Sequence, residues 1–308
     1  MEAAAAHAAG KELSSSKMIG QSSVHELTPE QRAALAEQGA TILLLGVPAG
    51  TTIGIDFTTY AAGDKFAGLK MIPPGLHFLS HCAASSSDRS EAPIKAGFWF
   101  TAKLGATLVR KWDDRAEEFS PESFVDAEEL ERFQLAVRGH EFDASTGPYP
   151  FDTHADWRAL TEHLTPHALK RHQPNPGVAV AGTDLEAFDP NDEVLKADPR
   201  LLAAAKARAK DHAPPVTFSD VAERPRPRIG CANPLDRSTE LAELHSALPV
   251  AVPGAAAAAA AGNGAVSARV GPRAAAVLAE LELSFCLFML VSSWTAFEQW
   301  KKLVVLVF

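Results

Sequence analysis

The segment from Gly54 to Phe78, GIDFTTYAAGDKFAGLKMIPPGLHF, constrains the fold more than any other part of the chain, because glycines and a proline pair punctuate short strand-forming runs. Gly54, Gly63, Gly68 and Gly75 free the backbone where a side chain would clash, and Pro73 and Pro74 forbid a helix and fix a turn. The runs between them, Ile53 to Phe57 and Leu69 to Ile72, suit strands of about five residues. The segment therefore reads as a compact β module. It holds Asp56, Lys65, Lys70 and His77, but no nucleophile beside a base, no glycine-rich loop opening a helix and no paired metal ligands.

At 308 residues the chain is long enough for two domains, and 46% hydrophobic residues with a mean hydropathy of −0.04 suit a globular protein with a sizeable core. A net charge of −9 argues against broad binding to a phosphate backbone, so any contact with RNA is expected to be indirect. Cys82, Cys231 and Cys286 stand far apart and odd in number, which fits neither a disulfide framework nor a four-ligand zinc site and suggests a reducing compartment. Residues 1–27 carry Glu2 and Glu12 and lack a long apolar core, so they read as a disordered tail rather than a secretory or transit signal. Leu283 to Phe297 is free of charge, but Glu282 precedes it and Glu298, Lys301 and Lys302 follow, which falls short of the about twenty apolar residues of a membrane span. The expectation is a buried helix and no membrane.

Caps and punctuation order the remaining elements. Thr28-Pro29-Glu30-Gln31 starts a helix that Gly39 ends. Thr41 to Leu45 is an apolar strand, Val47-Pro48-Ala49-Gly50 a turn, and Ser85 to Ser90 a polar loop. Phe98, Phe100 and Ala102, then Leu108, Arg110 and Trp112 on the far side of Gly105, alternate as the two arms of a hairpin over residues 97–112. Ser120-Pro121 opens a helix to about Arg138, closed by Gly139, and Gly147-Pro148-Tyr149-Pro150 makes a rigid corner. Thr153 with Asp156, and Thr165-Pro166, mark two more helix starts. The proline-containing stretch 173–215 reads as a linker, with one helix from Asp198 to Lys210. Ser238 to Leu248 is amphipathic, 250–265 is an Ala-rich loop, and Pro272 to Phe308 holds one or two apolar helices. The domains are thus a strand-rich unit with flanking helices over 28–172 and a helical unit over 216–308.

Residues of chemical interest have simpler roles close at hand. His77, His81 and Cys82 are zinc-ligand types, but side chains four apart on a strand lie about 13 Å apart along the backbone, and no second ligand pair follows. His140-Glu141, and Asp152, His154 and Asp156, sit beside turns and helix starts where carboxylates cap backbone N–H groups. No serine occupies a G-x-S-x-G elbow and no cysteine has an activating motif, so no catalytic residue, cofactor or metal is expected. The rival reading is a hydrolase built on a His/Asp cluster with His77, His140 or His154. Phe285, Phe288, Trp294, Phe297 and Trp300 recur at mostly helical spacing, which marks core packing first and a partner surface second. Lys65, Lys70, Lys301 and Lys302, and the run Arg224-Pro225-Arg226-Pro227-Arg228, are solvated faces that would suit an acidic partner.

Taken together, these motifs resemble the Aar-two splicing factors, assembly chaperones of the U5 small nuclear ribonucleoprotein. The likeness rests on the Gly54 to Phe78 segment, on GFWF and LVRKW within residues 97–112, on GPYPF at Gly147 to Phe151, on VTFSDV at Val216 to Val221, and on LAELELSFCLFMLVSSWTAFEQWKKLV at Leu278 to Val304. Order and spacing agree over most of residues 35–305. The resemblance implies an α+β protein, with an N-terminal β-sandwich-like domain, a linker and an α-helical domain. It also implies a non-enzymatic role in pre-mRNA splicing, in cytoplasm and nucleus. There the chain would bind the large spliceosomal U5 scaffold protein at its RNase H-like and Jab/MPN-like domains and delay helicase loading. The motif residues expected to build the fold or face the partner fall in three groups. The first segment supplies Gly54, Asp56, Lys65, Phe66, Gly68, Lys70, Pro73, Pro74, Gly75, His77 and Phe78; the corner supplies Gly147, Pro148, Tyr149 and Pro150; the C-terminal helices supply Phe297, Trp300 and Lys301. The chain departs from the family pattern at Tyr60, usually Trp, and at Gly63-Asp64, usually Gly-Pro. The family's helical domain also continues beyond the FEQWKKL segment, so the resemblance implies a truncated, incomplete bundle with apolar helix surface left exposed.

Overall fold

A computed structural model describes residues 11–13, 29–83, 94–121, 125–184, 215–221, 238–247 and 271–307. In chain order the strands are β1 (Lys11–Leu13), β2 (Ala40–Leu45), β3 (Thr52–Ile55), β4 (Thr58–Ala62), β5 (Gly68–Ile72), β6 (Gly75–Cys82), β7 (Lys95–Ala102), β8 (Thr107–Asp113), β9 (Glu118–Phe119), β10 (Thr146–Pro148) and β11 (Val180–Ala181). The helices are α1 (Pro29–Gln38), α2 (Ala127–Arg138), α3 (His154–Leu160), α4 (Pro166–His172), α5 (Ser238–Ala247), α6 (Pro272–Val291) and α7 (Trp294–Val307). The strands form a six-stranded sheet in the order β1-β4-β3-β6-β7-β11 and a five-stranded sheet in the order β10-β5-β2-β8-β9. A strand-rich region of two sheets followed by a helical region is the α+β architecture expected.

Successive strand residues point to opposite faces, and β6 and β7 use both faces for burial. Leu79, Phe98 and Phe100 turn inward and close the core between the sheets with Ile42, Leu44, Leu69 and Ile72. Phe78 and Trp99, paired across the two strands, turn outward into a second core made with Trp157, Leu169, Leu283, Cys286, Leu287 and Val291. The helical layer therefore shares a core with the sandwich rather than hanging from it by a linker.

Several expectations are corrected. Residues 97–112 are not a hairpin: β7 hydrogen-bonds β6 and β11 in one sheet, whereas β8 pairs in parallel with β2 and antiparallel with β9 in the other. Alternation sets the face a side chain takes, not the strand its backbone bonds. The helix expected from Ser120-Pro121 begins later, at α2, where Asp126 caps the Glu129 N–H at 2.7 Å; Ser120 instead donates its hydroxyl to Lys111 O and closes the β9 ladder. Thr153 makes no capping hydrogen bond to α3 and donates its hydroxyl back to Pro150 O, while Thr165 does cap α4 at Ala168 N–H.

The start of the expected linker is ordered, since Trp99 N–H donates to Pro176 O at 2.9 Å and β11 pairs with β7. Within the tail expected to be disordered, Lys11–Leu13 pairs in parallel with β4. The charge-free stretch from Leu283 to Phe297 is not one helix, because Ser292 adopts φ 61° and separates α6 from α7. By length and composition α6 could cross a membrane, but half of that window is buried in the protein. The polar loop at 85–90, the helix at 198–210, the basic run at 224–228, the Ala-rich loop at 250–265 and the rest of the tail lie outside the described residues.

The Gly54 to Phe78 motif is tied together by Asp56. This residue sits in the turn between β3 and β4 at φ 52° and is 1% exposed. Its Oδ1 accepts the Phe78 N–H at 3.0 Å, and its Oδ2 accepts from His77 Nδ1 at 2.8 Å and from the Tyr149 hydroxyl at 2.5 Å. Two motif glycines are required for close approach: a Cβ on Gly54 would overlap the Ser80 hydroxyl, and one on Gly68, at φ 144°, would overlap the Ile42 carbonyl. Asp56→Ala is expected to lower the unfolding free energy in urea by about 3–5 kcal/mol, because it leaves buried donors without an acceptor; Tyr149→Phe should lower it by only about 1 kcal/mol. Gly68→Ala should cost more than Gly54→Ala in the same assay, since a strand carbonyl cannot rotate away as a serine hydroxyl can.

Candidate functional site

The structure brings Asp56, His77, Tyr149 and His154 together, as a hydrolase reading would need. The rings of His77 and His154 stack with centroids 6.5 Å apart, and Tyr149 stands edge-on to both. Both His77 nitrogens face oxygen acceptors, Asp56 Oδ2 and, at 2.9 Å, Pro73 O, so neither is open to take a proton from a substrate. Burial lowers the His154 imidazole to about 4, which leaves it neutral at ordinary pH. His140 is elsewhere, paired at 3.2 Å with the exposed Asp143, which also meets Lys70 at 3.0 Å. His81 is wedged against Trp112 and Phe119 and is lowered to about 4 by burial, while burial raises the thiol of Cys82, its neighbour on the strand. Among the described residues no three His, Cys, Asp or Glu side chains converge as metal ligands.

The other motif residues divide between fold and surface. Gly54, Gly68, Pro73, Phe78, Gly147, Pro148, Tyr149 and Pro150 are buried, and the corner adds to the sheet because β10 pairs with β5 and Tyr149 N–H donates to Lys70 O. Phe66 is half-buried against the inter-sheet core. Lys65, Pro74 and Gly75 are exposed.

The residues that fix α6 against its helical neighbours were not singled out from sequence. Glu280 and Glu282 lie two apart on α6, about 200° round the helix, and so face opposite sides. Glu280 accepts from Ser219 N–H at 2.7 Å, the Ser219 hydroxyl at 2.6 Å and Gln299 Nε2 at 2.8 Å. Glu282 accepts from the N–H groups of His163 and Leu164 at 2.9 and 2.8 Å and meets His163 Nδ1 at 2.6 Å. His172 completes the seam, with Nδ1 facing Thr217 O at 2.9 Å, and burial lowers its imidazole. The available signal was the presence of two acids inside an otherwise apolar helix, which demands buried partners.

Outside this seam, α6 and α7 present aromatic surface. Phe288 packs on Phe297 at 4.5 Å, Phe297 on Trp294 and Trp300, and Phe285 on Trp300. Lys301 Nζ lies 4.9 Å from the Phe297 ring centroid and 5.5 Å from that of Trp294, and also pairs with Glu298. Trp294 is 58% exposed, and Met289 of α6 and Val305 of α7 are exposed as well. Phe297, Trp300 and Lys301 are half-buried, which gives this face the dual character of core edge and surface.

Comparison with known proteins covers both layers. The AAR2 N-terminal domain matches residues 38–174, and the AAR2 C-terminal repeat region matches residues 232–308. The protein AAR2 homolog of Homo sapiens is 28% identical over 297 residues, which covers 91% of this chain and 71% of the relative; that of Mus musculus is 27% identical with the same coverage. The homolog of Caenorhabditis elegans is 32% identical over 163 residues, covering 53% of this chain and 43% of the relative. With both the strand-rich region and the C-terminal helical region matched, the chain belongs to the AAR2 family.

Proposed function

We propose that this chain is a non-enzymatic assembly factor of pre-mRNA splicing that acts on the U5 small nuclear ribonucleoprotein in cytoplasm and nucleus. Its partner is the large spliceosomal scaffold protein, bound at its RNase H-like and Jab/MPN-like domains, with any RNA contact indirect. Occupation of the scaffold excludes the helicase by mass action for as long as the chain's concentration exceeds its apparent dissociation constant. Family membership supports a role in splicing. The observation that carries a binding role is the aromatic face around Trp294, Phe297 and Lys301, displayed on one two-layered body whose Asp56, His77, Glu280 and Glu282 are already bonded within the fold. Exposed tryptophan and phenylalanine are among the residue types enriched at the centres of protein interfaces.

Purified chain is expected to bind the scaffold's RNase H-like domain in titration calorimetry, and failure to bind would contradict the reading. Trp294→Ala should weaken that binding about thirtyfold or more while leaving the melting temperature close to that of the unaltered chain, because this ring is mostly in solvent. Unchanged affinity in that variant would move the contact to another face.

A further inference from the structure

We propose that the outer edge of β4 is an acceptor site for an extended peptide strand, and that Lys11–Leu13 fills it as the chain's own exchangeable occupant. An uncovered sheet edge presents backbone N–H and C=O groups to any strand that can reach it, so proteins shorten, charge or break their edge strands. The other three outer strands follow that rule. β9 and β11 are two residues long, β9 carries Glu118, and β11 runs straight into a turn whose Gly182 lies against the Val291 carbonyl of α6. β10 has three residues, one of them Pro148, and Pro150 follows. Beneath β1 the edge is different, because β4 runs for five residues with neither proline nor charge.

The hydrogen bonds of β4 show which groups this edge offers. Ala62 N–H donates to Thr51 O and Ala62 O accepts from Gly50 N–H, both at 2.8 Å, so Ala62 bonds on the β3 side, and Tyr60 with it by alternation. Thr59 and Ala61 therefore turn their N–H and C=O groups outward. β1 lies there in parallel, with Lys11 opposite Tyr60, Glu12 opposite Ala61 and Leu13 opposite Ala62. In that register Ala61 N–H faces Lys11 O, and Ala61 O faces Leu13 N–H. Tyr60 and Ala62 belong to the core between the sheets, whereas Thr59 is exposed. A strand on this edge thus sets alternate side chains beside the core and the others toward solvent. The ligand class is an extended segment with apolar residues at every second position and no proline at the donor positions.

The pairing of β1 spans three residues, is parallel, and has β4 as its strand partner among the described residues. So short a ladder sets few hydrogen bonds against the entropy of ordering the segment. The covalent link to α1 through residues 14–28 compensates, since a short tether holds a segment at an effective concentration of about millimolar. A strand from another molecule that pairs along the whole of β4 would displace it.

The test follows the Ala61 amide by hydrogen exchange in the unaltered chain and in Leu13→Pro, which removes the donor facing Ala61 O. Protection of Ala61 should fall about tenfold or more in the variant, while that of Tyr60, on the β3 side, stays. A synthetic peptide of residues 8–16 at about 1 mM should restore it, and the same peptide carrying Leu13→Pro should not. Equal Ala61 protection in the two chains, or protection that the peptide fails to restore, overturns the proposal. Should the variant not fold, nuclear magnetic resonance of the isotope-labelled unaltered chain decides. Excess unlabelled peptide should move the amide resonance of the chain's own Leu13 to that of an unpaired segment, and a resonance that stays in place overturns the site.

Discussion

Burial of α6 against the outward face of β6 and β7 turns a sandwich and a set of helices into one body. Leu283, Leu287 and Val291 meet Phe78, Trp99 and Trp157 there, and each large apolar side chain removed from water contributes about 1.5–3 kcal/mol. The same helix buries two acids on its flanks, Glu280 toward Ser219 and Gln299 and Glu282 toward the turn between α3 and α4. They are tolerable only because backbone N–H groups, a serine hydroxyl, a glutamine amide and a histidine meet them, so the polar seam sets the register that the apolar surface alone would leave loose.

The Asp56 cluster reaches the same junction from the other side. One carboxylate oxygen holds the backbone of Phe78, whose ring forms part of the shared core, while Phe57 in the same turn packs edge-on against Trp157. A motif that looks catalytic by composition thus works as a fastener, and His77 is fixed at both nitrogens by its place in it. The aromatic and cationic face of α6 and α7 is turned outward, and the proposed binding role rests on that surface.

Local chemistry in the sequence revealed most of the element positions. Thr165-Pro166 marks the start of α4, Gly39 follows α1, and Pro73-Pro74 separates β5 from β6, because each acts through its own backbone. Pairing was less legible. Residues 97–112 carry the alternation of a hairpin, yet the two strands belong to different sheets, a choice made by distant partners such as β2 and β11. Ser292 broke an apolar run that has no proline or glycine to announce it. Glu280, Glu282, Ser219 and His163 escaped notice as a site because their partners lie up to 119 positions away, and no short-range pattern links them. The aromatics of α6 and α7 were visible as a set, but only coordinates separate Leu283 and Leu287 in the core from Trp294 in solvent.

The claim that the two layers are one cooperative body is tested most directly by native-state hydrogen exchange through a series of low denaturant concentrations. Amides of α6 and of β6 and β7 should converge on a single opening reaction with the same dependence on denaturant. Exchange of α6 through an earlier opening that leaves β6 and β7 protected would show that the helical layer is separately docked, and would contradict the shared core.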